Sequence, residues 1–523
     1  MIHTNLQSPL WHKKDNIAVR GYCFDNKNNF YQGEQMLRFF AAAKNENDFA
    51  ELLKTSNGIF SVIIKIENKI FAASDRSRVY PLFYFFDYQS FIIADNPYLL
   101  LPEKPEIDKS AEQEFLLSSF TLDEKTLIKG IYQIKPSCYL CFENEKIAQK
   151  EHYSYRIKNE DVNQSEKLDV DFSAVLENVF QRLIKSARGR QIVVPLSGGY
   201  DSRLIAAMLK SLDYQNVICY TVGRENNPEY QIAKEVANKL GYKYHFIFTG
   251  DKKFTENYTA DKIFQQYYKH SGALCQSFWM YEYFGVKYLY DNDLVEKDAV
   301  FVPGHSGDFL AGSHTTKNDV MIDAPQNELL KKLSAHLFTF GYPQNKNIIS
   351  KVLKISNFDT ENFSTSIFDD VVMKTRLAKL INNSARLYEF FGYGVRLPFW
   401  DNEMMAFFRT LPPKLKYNKF FYDNYLKNSL FNLTDISFEK ELQAAHKPNP
   451  LQALKDFARP FTPKFVFRLL SKYQDDTCMN EITAPLYADL KKSKIKLNTI
   501  HLNEPYSKWY LMKVKKDLNL DIQ

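Results

Sequence analysis

The segment Val193 to Ser202, VVPLSGGYDS, joins a short apolar run to a helical pattern through two glycines, two serines and an aspartate. Gly198 and Gly199 allow a tight turn that leaves bare N–H groups at a helix N-terminus. Oriented N–H groups and the helix dipole together attract a phosphate. Ser197 and Ser202 offer hydroxyls to the same oxygens. Asp201 would repel pyrophosphate unless a Mg²⁺ ion bridged the two, so a metal-ligand role is expected for it. The loop is neither the GxxxxGK[ST] phosphate loop nor the GxGxxG of dinucleotide sites. A bare Ser-Gly-Gly turn is common in loops, but the full S-G-G-x-D-S between a buried strand and a helix is much rarer. The chemistry it fits is ATP cleaved between its α- and β-phosphates.

A second cluster, Pro303-Gly304-His305-Ser306-Gly307-Asp308, also ends a predicted strand. In open α/β sheets ligands bind outside the carboxyl ends of strands, so Asp308 is expected to face the same pocket as a second Mg²⁺ carboxylate. The elements around both loops agree with this. Apolar residues at helical spacing run from Val170 to Ala187, followed by a strand at Gln191–Leu196 and a helix through Leu204, Ile205, Met208 and Leu209. A strand at Val217–Val222, a helix at Tyr230–Leu240 and a strand at Ala299–Pro303 follow. Strands alternating with helices predict a doubly wound parallel sheet. Helical patterns dominate from about Ile322 onward.

The first 155 residues read differently. Ile59–Ile66, Lys69–Ala73, Leu82–Phe86 and Phe91–Ala94 are short, aromatic and β-branched, with turn residues between them. A helix is expected at Glu34–Phe40, a further β-rich stretch at Ile131–Phe142, and a linker at Arg156–Lys167. The fold class is therefore α/β plus α+β. The domains are expected at 1–155, 165–440 and, as a helical extension, 441–523.

Bulk properties narrow the function classes. The formal net charge is only +6 on 523 residues, with no block of five consecutive basic residues, which argues against a nucleic-acid surface. No apolar run approaches the roughly 18–20 residues that cross a bilayer, and the N-terminus lacks a signal-peptide core. A cytoplasmic protein is expected. Six cysteines in so long a chain do not make a disulfide framework. Cys138 and Cys141 sit on a predicted strand where they would point to opposite faces, so both read as structural.

The motifs resemble the asparagine synthetase family of ATP-pyrophosphatase amide-forming enzymes. LSGGYDS is similar to the family's first loop, GHSGDFLAG stands where the family has SGEGADELFGG, and RLPFWDNE (Arg396–Glu403) resembles RVPFLDHE. The spacing of Glu229, Ala233, Val236, Ala237, Leu240, Gly241 and His245 follows the family pattern. In the front part, Asn57-Gly58-Ile59-Phe60, Ser74–Tyr84 and Thr126–Leu140 resemble segments of its glutaminase-like, Ntn-type domain. The resemblance implies that Leu196, Ser197, Gly198, Gly199, Asp201, Ser202, Val222, Gly223 and Gly304 hold ATP and pyrophosphate, with Mg²⁺ on Asp201 and Asp308.

Departures qualify what is made with the ATP. The chain begins Met1-Ile2-His3, without the cysteine that serves glutamine-using members as nucleophile, and no counterpart of their NGEIYN segment is found. Cys23 is internal and reads as a core residue. The front domain is expected to be a retained glutaminase-like fold without its nucleophile. The Glu of SGEGAD becomes His305, the acidic residue after the Asp becomes Phe309, and Gly394 stands two residues before Arg396, where the family has a proton-handling Glu. Glu389 is the candidate substitute, and Lys447 the candidate for the family's later basic segment. The expectation is an amide ligase that forms an acyl-adenylate from a small-molecule carboxylate. Ammonia, an amine, or a separate glutaminase partner would supply the nitrogen. The resemblance to surface-polysaccharide proteins suggests a uronic acid as substrate. The alternatives are a ring-closing synthetase of β-lactam or lasso type, and a non-catalytic scaffold. A homodimer is an expectation too.

Overall fold

The computed structural model describes residues 2–225, 227–316, 324–438, 475, 477–499, 501 and 503–521. Its front module is a sandwich of two sheets. The smaller contains β1 (Ile2–Asn5), β7 (Phe83–Phe86), β8 (Phe91–Ala94) and β9 (Ile131–Gln133), in the order β1-β8-β7-β9. The larger runs β11 (Lys146–Glu151), β10 (Cys138–Glu143), β6 (Lys69–Ser74), β5 (Asn57–Ile66), β3 (Ile17–Phe24) and β2 (His12–Lys14), with β4 (Phe30–Gln32) paired to β3.

The alternation in β5 and β6 explains the layering. Phe60, Val62, Ile64, Phe71 and Ala73 pack on one face with Met36, Phe40 and Phe49 from the helices Glu34–Phe40 and Glu46–Thr55. Ile63, Ile70 and Ala72 pack on the other with Tyr84, Phe91 and Ile93 of the smaller sheet. Side chains of period two thus bury both faces of the larger sheet. All six cysteines are free and buried.

The second module is a five-stranded sheet in the order β14 (Lys243–Phe248), β13 (Val217–Gly223), β12 (Ile192–Pro195), β15 (Val300–Phe301), β16 (Gly394–Val395). Every pairing is parallel. Chain order departs in both directions from β12, so the topological switch point lies between β12 and β15, where the crevice of such sheets opens. Ile192, Val193, Val194, Val300 and Phe301 are fully buried, as strands covered on both faces must be. The helix Leu168–Ala187 precedes β12, and Tyr200–Ser211 follows it with Leu204, Ile205, Met208 and Leu209 inward.

Two expectations change. The segment read as a linker is docked: Arg156 donates to the carbonyls of Asn357 and Ser356 (both 2.7 Å), and Ile157 is buried. Its charges find partners on distant helices, which local polarity does not reveal. The edge strand β14 was not foreseen. Beyond the parallel sheet, the helices Met479–Lys492 and Glu504–Asp517 pack on each other and reach both modules. Tyr510 OH accepts from Leu274 N (2.9 Å) and Lys515 pairs with Glu112 (2.6 Å).

Candidate active site

The first loop leaves β12 at Pro195. Leu196 N donates to Tyr220 O (2.8 Å), which keeps the loop's start in the sheet. Ser202 Oγ then accepts from Ser197 N (3.0 Å), Ser197 Oγ accepts from Gly199 N (3.1 Å), and the two hydroxyls meet at 3.0 Å. The serines therefore brace the turn as well as lining it. Arg203, fully buried one residue on, donates to Gly198 O. Gly199 ends the loop in an extended conformation and caps the helix Tyr200–Ser211 without a side chain.

The second loop descends from β15 and lies directly on the first. A Cβ on Gly304 would sit 2.8 Å from Ser202 N, and one on Gly307 would sit 2.6 Å from Asp201 Cγ. Only glycine permits this approach. It brings Asp308 N to within 2.8 Å of Asp201 Oδ2, as a donor. Tyr422, buried in the helix Phe420–Tyr425, donates its hydroxyl to Asp201 Oδ1 (2.8 Å). Burial first, and then the charge of Asp308, push the Asp201 carboxyl up to about 7. Asp308 itself is exposed, with Ser313 Oγ donating to it at 3.3 Å.

This donor set suits Mg²⁺. Among the described residues no three His, Cys, Asp or Glu side chains cluster closely enough to hold a metal alone. Mg²⁺ is commonly held by one or two carboxylates, with phosphates and water completing its shell. Two carboxylates meeting beside a helix N-terminus fit that pattern, and a divalent charge would offset the burial and the Asp308 charge that raise Asp201.

Several neighbours carried no sequence signal. Lys419 favours the charged form of Asp201 and pairs with Asp423 (3.3 Å). Lys419 and Lys427 lie 5.6 and 5.5 Å from the Tyr200 ring centre. Asn418 and Lys419 both take left-handed backbone conformations (φ 51° and 55°), which are costly for residues with a side chain. No motif distinguishes these lysines from others in a Lys-rich helical stretch. Trp400 Nε1 donates to Ser306 Oγ (3.1 Å), so the RLPFW segment braces the second loop from behind.

The remaining expected residues separate into distinct places. Leu196 and Val222 are buried at the carboxyl ends of adjacent strands, and Gly223 follows with a φ of 129°. His305 Nδ1 meets Ser384 Oγ at 2.7 Å and its ring stands edge-on to Trp279 (5.4 Å). Burial brings its imidazole down to about 4, so it is neutral at physiological pH. Phe309 stacks on His314 (4.2 Å).

Gly394 corrects an expectation. It pairs with Val300, the first residue of β15, and a Cβ there would meet Arg190 just before β12. That is the amino end of the sheet, so the absence of a side chain there leaves the pocket at the carboxyl end unchanged. Glu389 is also corrected. It is buried and ion-paired to Arg20 of β3 and to Arg386 (3.7 Å), with the His270 Nε2 atom 3.7 Å away. Burial alone would raise its carboxyl, but Arg20 and Arg386 override that and bring it down to about 2. A carboxylate held charged between buried arginines joins the two modules and is unsuited to moving a proton. Lys447 lies outside the described residues.

Comparison with known proteins places these features. Residues 187–430 match the asparagine synthase family, and residues 41–154 match the glutamine amidotransferase domain. A probable glutamine-hydrolyzing asparagine synthetase of Acanthamoeba polyphaga mimivirus is 26% identical over 226 residues. That match covers 39% of this chain and 36% of the viral protein, so it spans little more than a third of that relative's length. Among solved structures, glutamine phosphoribosylpyrophosphate amidotransferase from B. subtilis shares 10% identity over 57% of this chain and 64% of its own (TM-score 0.19). A predicted subunit of tRNA methyltransferase from Methanocaldococcus jannaschii shares 24% over 31% of this chain and 74% of its own (TM-score 0.14).

Proposed function

We propose that this chain, which belongs to the asparagine synthetase-like family, is an ATP-dependent amide ligase that activates a carboxylate as an acyl-adenylate. The observation that carries the reading is the crossing of the two glycine loops at the switch point, where Asp201 and Asp308 meet beside an open helix N-terminus. A substrate carboxylate oxygen attacks the α-phosphorus of ATP, and the bond from that phosphorus to the bridging oxygen breaks. Pyrophosphate leaves with the electron pair. Ammonia or an amine then attacks the acyl carbon, loses a proton to a base or water, and AMP departs.

This chain's residues supply position and charge. The amino end of the helix Tyr200–Ser211 directs its dipole toward the phosphates, and Lys419 and Lys427 approach the same side and offset the charge that develops on the leaving group. Asp201 and Asp308 would hold Mg²⁺, which screens the phosphate charge when bound. Tyr422 and the Asp308 N–H fix the Asp201 carboxylate.

The acceptor is proposed to be a uronic acid rather than aspartate. The wall at the second loop presents neutral His305 against Trp279. Glu282, which touches this wall through Trp279, is consumed by donors from Tyr220 (3.1 Å), Tyr388 (2.9 Å) and Trp279 (3.2 Å). Glu282 therefore has little acceptor capacity left for an α-ammonium, whereas an uncharged sugar ring requires none. For the nitrogen we favour free ammonia or a separate glutaminase. Every cysteine is buried, and burial pushes the Cys23 thiol well up, away from the thiolate that hydrolysis of glutamine needs.

The test mixes the full chain with Mg·ATP, ammonium and a panel of carboxylic acids that includes uronic acids and aspartate. AMP and pyrophosphate are expected, with ¹⁸O moving from the labelled carboxylate into AMP. Release of ADP and phosphate would overturn the mechanism. Turnover of aspartate alone would overturn the acceptor assignment while leaving adenylation in place.

A further inference from the structure

A cleft of about 500 Å³ opens between the front module and the helical region, and it shares no residue with the glycine loops. That volume suits a metabolite. Asp123, Glu124, Lys135 and Gln149 line its front wall. Lys354 of the helix Lys346–Ser356, with Lys374 and Lys379 of the π-helical stretch Met373–Ile381, lines the other. Such π-helical turns recur at functional sites.

Most charges in the cleft already have partners. Lys135 pairs with Asp123 (3.3 Å), Lys374 with Asp370 (2.7 Å) and Glu151, and Arg156 with Asp359 and Asp370 (both 3.3 Å). Two charges stand apart. Among the described residues Lys354 forms no ion pair. Glu124 forms none either: its hydrogen bonds come from neutral donors, Tyr84 OH (3.4 Å) and Gln149 Nε2 (3.1 Å), and the Lys135 ammonium, paired to Asp123, acts on it from beyond ion-pair distance. One lies on each wall. Lys379 adds a reserve of positive charge: it is 1% exposed, its Nζ donates to Thr121 O (2.6 Å) and Asp123 O (3.3 Å), and burial, then Arg78, holds its ammonium down to about 7.

We propose that this cleft binds a free α-amino acid, its ammonium on Glu124 and its carboxylate on Lys354. A purely anionic ligand would leave Glu124 without a direct ionic partner and add charge beside the other carboxylates. A purely cationic one would do the same to Lys354. A molecule carrying one charge of each sign leaves neither wall unpaired. Because the walls belong to different modules, occupancy would tighten the junction and raise its stability by mass action.

The site is independent of the ligase reading, and its test needs no ATP. The full chain is titrated calorimetrically with each protein amino acid in turn. At least one is expected to bind saturably, with its deaminated and decarboxylated analogues each about tenfold weaker or worse, equivalent to about 1.4 kcal/mol. Lys354→Met and Glu124→Gln should each weaken that binding about tenfold, and Asp201→Asn should leave it unchanged. No saturable binding up to about 10 mM, or analogues that bind equally well, would overturn the proposal. So would binding lost in Asp201→Asn but kept in Lys354→Met, since that would put the amino acid at the glycine loops.

Discussion

Replacing Asp201 by Asn is expected to kill turnover and yet stabilise the metal-free protein at neutral and alkaline pH. In the folded chain the Asp201 carboxyl is raised from 3.8 to about 7 by burial and by Asp308. The folded state therefore holds this proton more tightly than the unfolded chain. Stability from that proton is complete below about pH 4 and is lost as pH rises to about 7. At about 1.36 kcal/mol for each tenfold change in proton affinity, the loss is on the order of 4 kcal/mol. Asn removes the charge but keeps the contacts: its carbonyl accepts from Asp308 N–H, and its amide donates to the Tyr422 oxygen, which can accept. The assay is calorimetric melting of both proteins in EDTA from pH 5 to pH 8. The variant should melt several degrees higher at pH 8, with the gap shrinking steadily toward pH 5. Mg·ATP at pH 8 should close the gap by stabilising only the unaltered protein. A gap that does not depend on pH, or a less stable variant at pH 8 without metal, would refute the reasoning.

Two further substitutions test other joints. Gly307→Ala places a methyl 2.6 Å from Asp201 Cγ and 2.7 Å from Phe399 Cζ, so the loops must part at a cost of about 1–3 kcal/mol. Binding of a fluorescent ATP analogue should fall more than tenfold while circular dichroism stays unchanged; unaltered binding would mean that the crossing does not matter. Arg20→Met deprives a buried carboxylate of its main partner and should cost about 3–5 kcal/mol in urea unfolding, much of it regained when Glu389→Leu is added. A second substitution that adds further loss would show that Glu389 has another role.

Motif and period made much of this protein legible. The run VVPL before SGGYDS reads as a buried strand feeding a helix, and the glycines announced close approach, so the loop and its neighbours follow from short-range rules. Asp308 followed as well, because the carboxyl ends of parallel strands converge. What escaped was long-range. Glu389 on an amphipathic helix looks like any other helical acid until β3 delivers Arg20, 369 residues away in the chain. Gly394 looked like a missing catalytic side chain because alignment shows position in a motif and not the end of the sheet at which it falls. Tyr422, Lys419 and Lys427 approach the loop from a helical region whose pattern records only its packing face. Two-residue strands such as β15 and β16 are too short to show a period at all.

The same long-range contacts hold the front module to the parallel-sheet module. The seam between them is polar and buried. Arg78 donates to Gln133 (2.7 Å) within its own module and to Gln276 (3.1 Å) across the seam, and Asn382 Nδ2 donates to Ser77 O (3.0 Å). Glu114, wholly buried, pairs with Lys351 (2.9 Å). Asn57 Nδ2 donates to Asp401, which also holds Arg182 (2.7 Å). Removing the front module would leave Glu389, Lys379, Lys351 and Asp401 short of partners at once, and each such orphan costs more than the contact it replaces contributes. Asp401 opens the helix Asn402–Thr410 immediately after the RLPFW segment that braces the second loop. The front module thus supports the geometry of the two glycine loops through this seam.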